Sequence, residues 1–88
     1  MSCVVRIPSP LRSYTRGASQ VAASGSTLED VLADLERQFP GMRIRMVDEQ
    51  DRIRRHVRVF VNRRAANGLS EPVQSGDDVQ VICALSGG

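Results

Sequence analysis

At 88 residues and 9.7 kDa, 41% hydrophobic and 25% charged, the chain has room for one compact domain of ordinary globular composition. Aromatic residues make up 3%, so the core is left to Val, Leu, Ile and Ala. The net charge of +2 excludes a polycation, no run approaches the ~18–20 apolar residues of a membrane helix, and the opening residues lack a signal-peptide pattern, so a cytoplasmic location is expected.

Cys3-Val4-Val5-Arg6-Ile7 predicts a short first strand, stopped by Pro8 and Pro10. Pro8 to Ser19 reads as a turn-rich link with Gly17 near its end, and Gln20-Val21-Ala22-Ala23 as the return strand of a hairpin, ended by Ser24 and Gly25. Ser26-Thr27-Leu28-Glu29 has capping-box spacing, the Ser26 hydroxyl accepting a backbone N–H while Glu29 reaches back. Leu28, Val31, Leu32, Leu35 and Phe39 follow as one apolar helical stripe. Asp30 in the first turn and Arg37 in the last suit the helix dipole, and Pro40-Gly41 stops the helix.

Met42 to Arg55 is mixed in pattern, with Ile44, Met46 and Val47 expected to pack as a lid over the edge of the core. Val57-Arg58-Val59-Phe60-Val61 alternates as a strand with its three valines on one face. Asn62 to Glu71 is a polar passage anchored by Leu69. Ser75-Gly76-Asp77-Asp78 is turn chemistry feeding a last strand in which Val79, Val81 and Cys83 share a face.

Strand, strand, helix, strand, strand predicts an α+β fold, a mixed four- to five-stranded sheet with one main helix across a face; with the first and last strands paired in parallel at its centre, it is a β-grasp. Residues 1–83 form that domain and 84–88 a flexible tail. The parallel pairing sets Cys3 beside residues near Val79 rather than Cys83, so both thiols are expected to be free.

Enzyme-like constellations are nearly absent. His56, the single histidine, sits among arginines with no nucleophile near it in sequence, and there is no phosphate loop and no metal-ligand spacing. Arg52, Arg54, Arg55, Arg58, Arg63 and Arg64 cluster downstream of Glu29, Asp30, Asp34, Glu36, Asp48, Glu49 and Asp51, which predicts an electrically divided surface. Counterion release at such a cluster drives weak nucleic-acid binding, but the aromatic stacking platforms of single-strand binders are missing, so nucleic acid is not an expected partner. A solvated face or a docking surface for an acidic protein remain as readings. The chain has no lysine, hence no side-chain amine to capture its own activated C-terminus.

Leu85-Ser86-Gly87-Gly88 places two residues without Cβ beside a terminal carboxylate. Such a tail threads a narrow channel without side-chain collisions. A carboxylate becomes a useful electrophile once a partner converts it to an acyl-adenylate.

Taken with Ile7-Pro8, Leu11-Arg12, Thr15 through Gly17, Thr27-Leu28, Leu35, Phe39-Pro40-Gly41, Val57 to Asn62 and Gly76-Asp77-Asp78-Val79, the diglycine makes the chain resemble, over essentially its whole length, the ThiS/MoaD family of ubiquitin-like sulfur carriers. Within that family it is most similar to the MoaD-like carriers of bacterial cysteine synthesis. The resemblance implies a ubiquitin-like β-grasp that is a protein cosubstrate rather than an enzyme. Gly88 would be adenylated by an E1-like adenylyltransferase of the MoeB/ThiF type and converted to a thiocarboxylate. The sulfur would then pass to a synthase, either cysteine-synthase-like or the large subunit of molybdopterin synthase. By the same resemblance the carrier binds no cofactor and no metal; ATP and Mg²⁺ belong to the activating partner. Gly87, Ser86 and Leu85 would form the inserting tail, with Phe60, Arg58, Arg63 and Arg64 as partner-docking residues on a chain that is monomeric when free. The small subunit of molybdopterin synthase, a carrier for a secondary-metabolite or thiamine pathway, and a ubiquitin-like modifier or binding module remain as alternatives.

Overall fold

Period-two alternation gathers Val5, Val57, Val59, Val61, Val79 and Val81 on one side of a sheet, and helical spacing gathers Leu28, Val31, Leu32 and Leu35 on one side of a helix. Burying these two surfaces against each other is what organises the molecule; all ten side chains are buried. The computed structural model describes residues 2–84. In chain order it contains β1 (Cys3–Arg6), a 3₁₀ helix (Ser9–Thr15), β2 (Gln20–Ala23), α1 (Leu28–Gln38), α2 (Met42–Met46), β3 (Val57–Val61), β4 (Arg64–Ala65) and β5 (Asp78–Cys83).

The sheet has five strands in the order β2-β1-β5-β3-β4. The central pair, β1 with β5, is parallel, with Val5 opposite Val79. The other pairs are antiparallel. A parallel pair needs a long crossover, and α1 lies within it. The mixed sheet with its single long helix is the expected β-grasp.

The start of α1 is satisfied more fully than a simple capping box provides. Thr27, not Ser26, is the N-cap, its hydroxyl accepting from the Asp30 N–H at 3.3 Å. Asp30 reaches back to the Ser26 N–H and hydroxyl, so the box is displaced by one residue from the expected one. This displacement frees Glu29 to pair with Arg43 at 2.8 Å. The Leu28 and Glu29 N–H groups, orphans of the first turn, donate to the Glu71 and Leu69 carbonyls, so residues 69–71 close the helix end.

Three further expectations need correction. The Pro8–Ser19 link contains the 3₁₀ helix, which buries Leu11 and Thr15 and ends at Arg16 in the left-handed region. Ile44 does not join a lid: Met42 and Met46 fall one turn apart on the buried face of α2, which turns Ile44 outward to 49% exposure, while Val47 is buried. The passage after Asn62 also begins with a hairpin rather than a loop. Asn62 and Arg63, at φ 49° and 72°, connect β3 to β4 across the Val61–Arg64 pair, in the manner of a type I′ turn. The usual Asn-Gly signature is hidden because arginine occupies the glycine position. Arg63→Gly therefore stabilises the fold by up to about 1 kcal/mol, read from the denaturant midpoint, because the left-handed penalty on a Cβ disappears.

Carboxylates fasten the turns. The Glu36 carboxylate accepts N–H bonds from Gly41 (3.0 Å) and Arg43 (3.0 Å) and so ties the end of α1 to α2. These N–H bonds, Gly41 first, hold Glu36 below its ordinary range. Asp34 is lowered by Arg37 and the Ser24 N–H, Asp48 by the Arg52 and Gln50 N–H groups, and Asp77 by the Asn62 amide and the Gln74 N–H. Groups lowered on folding stabilise the protein fully above their unfolded pKa, and that contribution is lost as pH falls through the folded value. The urea midpoint is thus expected to drop as pH falls below about 4. Glu36→Gln lowers the midpoint at neutral pH and flattens the acid limb.

Candidate functional site

The last described residues are held at the middle of the sheet. Cys83 is paired with Val57, and the Ala84 N–H donates to the His56 carbonyl at 2.7 Å, extending the β3–β5 ladder by one bond. The terminus starts from a fixed point, since β5 is paired with β1 as far as Gln80 and with β3 through Cys83. The expected tail residues Leu85, Ser86, Gly87 and Gly88 lie outside the described residues.

The four expected docking residues are not brought together. Arg58 and Phe60 share the outer face of the sheet, the face turned away from α1, opposite Ile82 and Gln80 of β5. With Val4 at 37% and Ile82 at 40% exposure, this face carries scattered apolar groups among Arg6, Asp78 and Arg58. Arg63 lies in the hairpin turn, whereas Arg64 pairs with the inward-facing Val61 and sits 3.9 Å from Glu71.

The expected division of charge is only partial. Arg43 bridges Glu29 and Asp51, Arg52 meets Asp48, and Arg37 pairs with Asp34 on the same helix, so acids and arginines interleave where the fold bends the chain back on itself. Exposed pairs of this kind contribute little stability. Of these arginines only Arg52 belongs to the cluster, so most of the cluster keeps its charge.

Sequence reading missed the surroundings of Ala84. There the 3₁₀ helix and α2 leave a notch of about 390 Å³ lined by Leu11, Tyr14, Arg45, His56, Cys83 and Ala84. The Arg45 Nε donates to the Tyr14 hydroxyl at 2.5 Å, and its guanidinium carbon lies 5.6 Å from the ring centroid. These residues come from four segments, and only the tertiary fold assembles them.

Nucleophilic chemistry by the thiols is disfavoured. Burial pushes the thiols of both Cys3 and Cys83 up, away from the reactive thiolate. Cys3 lies in register one residue before the Val4–Asp78 pair, while Cys83 is five residues further along β5 at about 3.3 Å per residue, so both are free. Among the described residues no group of three or more His, Cys, Asp or Glu side chains could hold a metal ion, and no helix is long and apolar enough to cross a membrane. What the described site offers is a rigid root for the chain's last residues with two differently textured surfaces beside it.

Comparison with known proteins agrees with this arrangement. The profile of the ThiS family matches residues 5–88. The sulfur carrier proteins CysO of Mycobacterium tuberculosis and Mycobacterium bovis are 37% identical to this chain over 93 aligned residues, covering the whole of both chains. The crystal structure of Mycobacterium tuberculosis CysO superposes with a TM-score of 0.89 at 34% identity, over 94% of this chain and 99% of that one. A chain of the Amycolatopsis orientalis BexX/CysO complex gives a TM-score of 0.91 at 32% identity, over 98% and 99%. SAMP1 of Haloferax volcanii, at 24% identity and a TM-score of 0.84 over the full length of both chains, shares the fold. With the β-grasp, the central β5 and the family profile running through to the diglycine, the chain belongs to the ThiS family.

Proposed function

We propose that the protein is a sulfur carrier whose Gly88 carboxylate is the working group. The carboxylate attacks the α-phosphate of ATP in an E1-like adenylyltransferase, forming an acyl-adenylate and releasing pyrophosphate. A sulfide-level nucleophile then displaces AMP and leaves a thiocarboxylate. The sulfur is passed on within a synthase, with cysteine biosynthesis the favoured pathway. The observation that carries this reading is the full-length similarity to proteins named as sulfur carriers, joined to a fold that delivers the C-terminal residues from its central strand.

On this reading the protein is a cosubstrate and holds no cofactor; ATP and Mg²⁺ are bound by the activating enzyme, and the cytoplasm is where the carrier meets it. Two glycines at the end suit a reaction centre that excludes side chains, since neither adds a Cβ to the cross-section of the tail. Partner docking is assigned to the outer face through Phe60 and Arg58, with Arg63 in the adjoining hairpin turn and Arg64 left out because it is across from inward-facing Val61. The Amycolatopsis orientalis relative, crystallised in complex with BexX, supports the expectation that such a carrier works against a partner protein.

The test is chemical. The full chain is incubated with ATP, Mg²⁺, sulfide and a ThiF-type adenylyltransferase, and a thioacid-selective reagent that spares thiols is applied directly, because alkylating Cys3 and Cys83 first would also cap a thiocarboxylate. Label is expected on the peptide ending at Gly88 and only when ATP is present. Adenylate formation without any such label would remove the sulfur-carrier reading. Intact mass does not decide the matter, because exchanging oxygen for sulfur adds nearly the mass of one oxidised methionine.

A further inference from the structure

Arg45, on α2, and Arg54 and His56, ahead of β3, converge beside the root of the C-terminal residues. The Arg54 Nε donates to the Ile44 carbonyl at 2.7 Å, and Arg45 is held by Tyr14, so both guanidinium groups have defined positions. The six ion pairs among the described residues include neither Arg45 nor Arg54. Between them Ile44 stands 49% exposed, in a shallow depression of about 240 Å³ lined by these four residues. His56 is also the residue whose carbonyl fastens Ala84.

We infer that this patch is a docking surface for carboxylates on the rim of the adenylyltransferase entrance that receives the tail. The inference rests on the carrier reading above. Gly88 is four residues beyond Ala84, and four extended residues reach at most about 14 Å. An enzyme acting on that carboxyl inside its own body must bring its entrance against the carrier around Ala84. The patch is then covered in the complex. Covering guanidinium groups costs desolvation unless carboxylates meet them, and arginine matches a carboxylate in a two-pronged geometry. Ile44 supplies the apolar centre that such a charged rim surrounds in protein interfaces. The one aromatic ring near the patch, Tyr14, is engaged by Arg45, which favours a protein over stacked nucleic-acid bases.

The experiment is ATP–pyrophosphate exchange by a ThiF-type adenylyltransferase with the full chain as substrate, separating KM from kcat at low and high salt. Arg45→Glu combined with Arg54→Glu is expected to raise KM by about tenfold or more, with kcat within about twofold, and to abolish the rise of KM with salt shown by the wild type. Arg45→Gln with Arg54→Gln gives a smaller rise and serves as the test should the charge-reversed chain melt early. Arg37→Glu, at the exposed end of α1, is the single-charge control and leaves KM within about twofold. A charge-reversed chain with unchanged KM, or an equal response to Arg37→Glu, overturns the docking assignment while the carrier reading stands. A wild-type chain that supports no exchange overturns both.

Discussion

Deleting Gly88 is expected to reduce adenylation by the activating enzyme by roughly 10²–10³-fold or more while leaving the fold as it was. The truncated chain still ends in glycine and still has a carboxylate, so the loss is one of position rather than of functional group. Removing one extended residue withdraws the carboxyl by about 3.4 Å from the α-phosphate it must approach, and near-attack geometry tolerates much less than that. The body cannot follow the shortened tail inward, because β5 is fixed between β1 and β3 and the chain is tied at Ala84 to His56. A terminal glycine has no side chain to bury, and the core among the described residues runs from Cys3 to Val81. Melting temperatures of the two chains should agree within about 2 °C. Unimpaired exchange by the truncated chain would contradict the assignment of Gly88 as the acyl group.

How much of this was legible in the sequence depended on whether the signal was local. β3 was placed to the residue, and Leu28, Val31, Leu32 and Leu35 of the α1 stripe buried as their spacing predicted, because period and propensity agreed along each segment; Phe39, the fifth expected member, is the C-cap and only half-buried. The parallel β1–β5 pairing followed from connectivity once the helix was recognised as a crossover. The misplaced features were those that needed a distant partner. Nothing near Ser26 discloses that residues 69–71 supply carbonyls to the first turn of α1, and that help is what lets the cap shift to Thr27. Ile44 looked like core from its chemistry, and only the angular position on a five-residue helix turns it to solvent.

The functional surroundings divided in the same way. The diglycine could be read directly, and with the ordered set of shorter matches it pointed to the family. The alternation that put Val57, Val59 and Val61 on one face leaves Arg58 and Phe60 together on the other. Arg64 was grouped with them by proximity in sequence, but a two-residue turn reverses the chain and register puts it across from inward-facing Val61. The Arg45–Arg54–His56 patch carried no local signature at all. Arg54 was one of the Arg52–Arg64 cluster, His56 sat among its arginines and Arg45 was not singled out; what separates Arg54 from Arg52, which meets Asp48, is the fold's choice of ion-pair partners.

Leu32→Ala is expected to lower the unfolding free energy by about 2–5 kcal/mol. Leu32 is fully buried within the α1 face that packs on the sheet, so truncation loses the transfer free energy of the deleted carbons and leaves a cavity. Collapse into that cavity is limited on one side by the hydrogen-bonded ladders of β1 and β5 and on the other by the capped helix. A domain of this size has a total stability of about 4–13 kcal/mol, so the loss is a large share of it. With a urea m-value of about 1 kcal/mol/M the midpoint falls by about 2 M or more, whereas Ala33→Ser on the exposed side of the same turn shifts it by about 0.5 M or less. A Leu32→Ala midpoint within about 1 M of wild type would mean the helix–sheet layer is not what stabilises the fold. The same variant separates two modes of recognition by the activating enzyme. Warmed until half unfolded, it should lose adenylation in proportion to the unfolded fraction if the enzyme grips the body around Ala84. It should keep full activity if the last residues alone are sufficient.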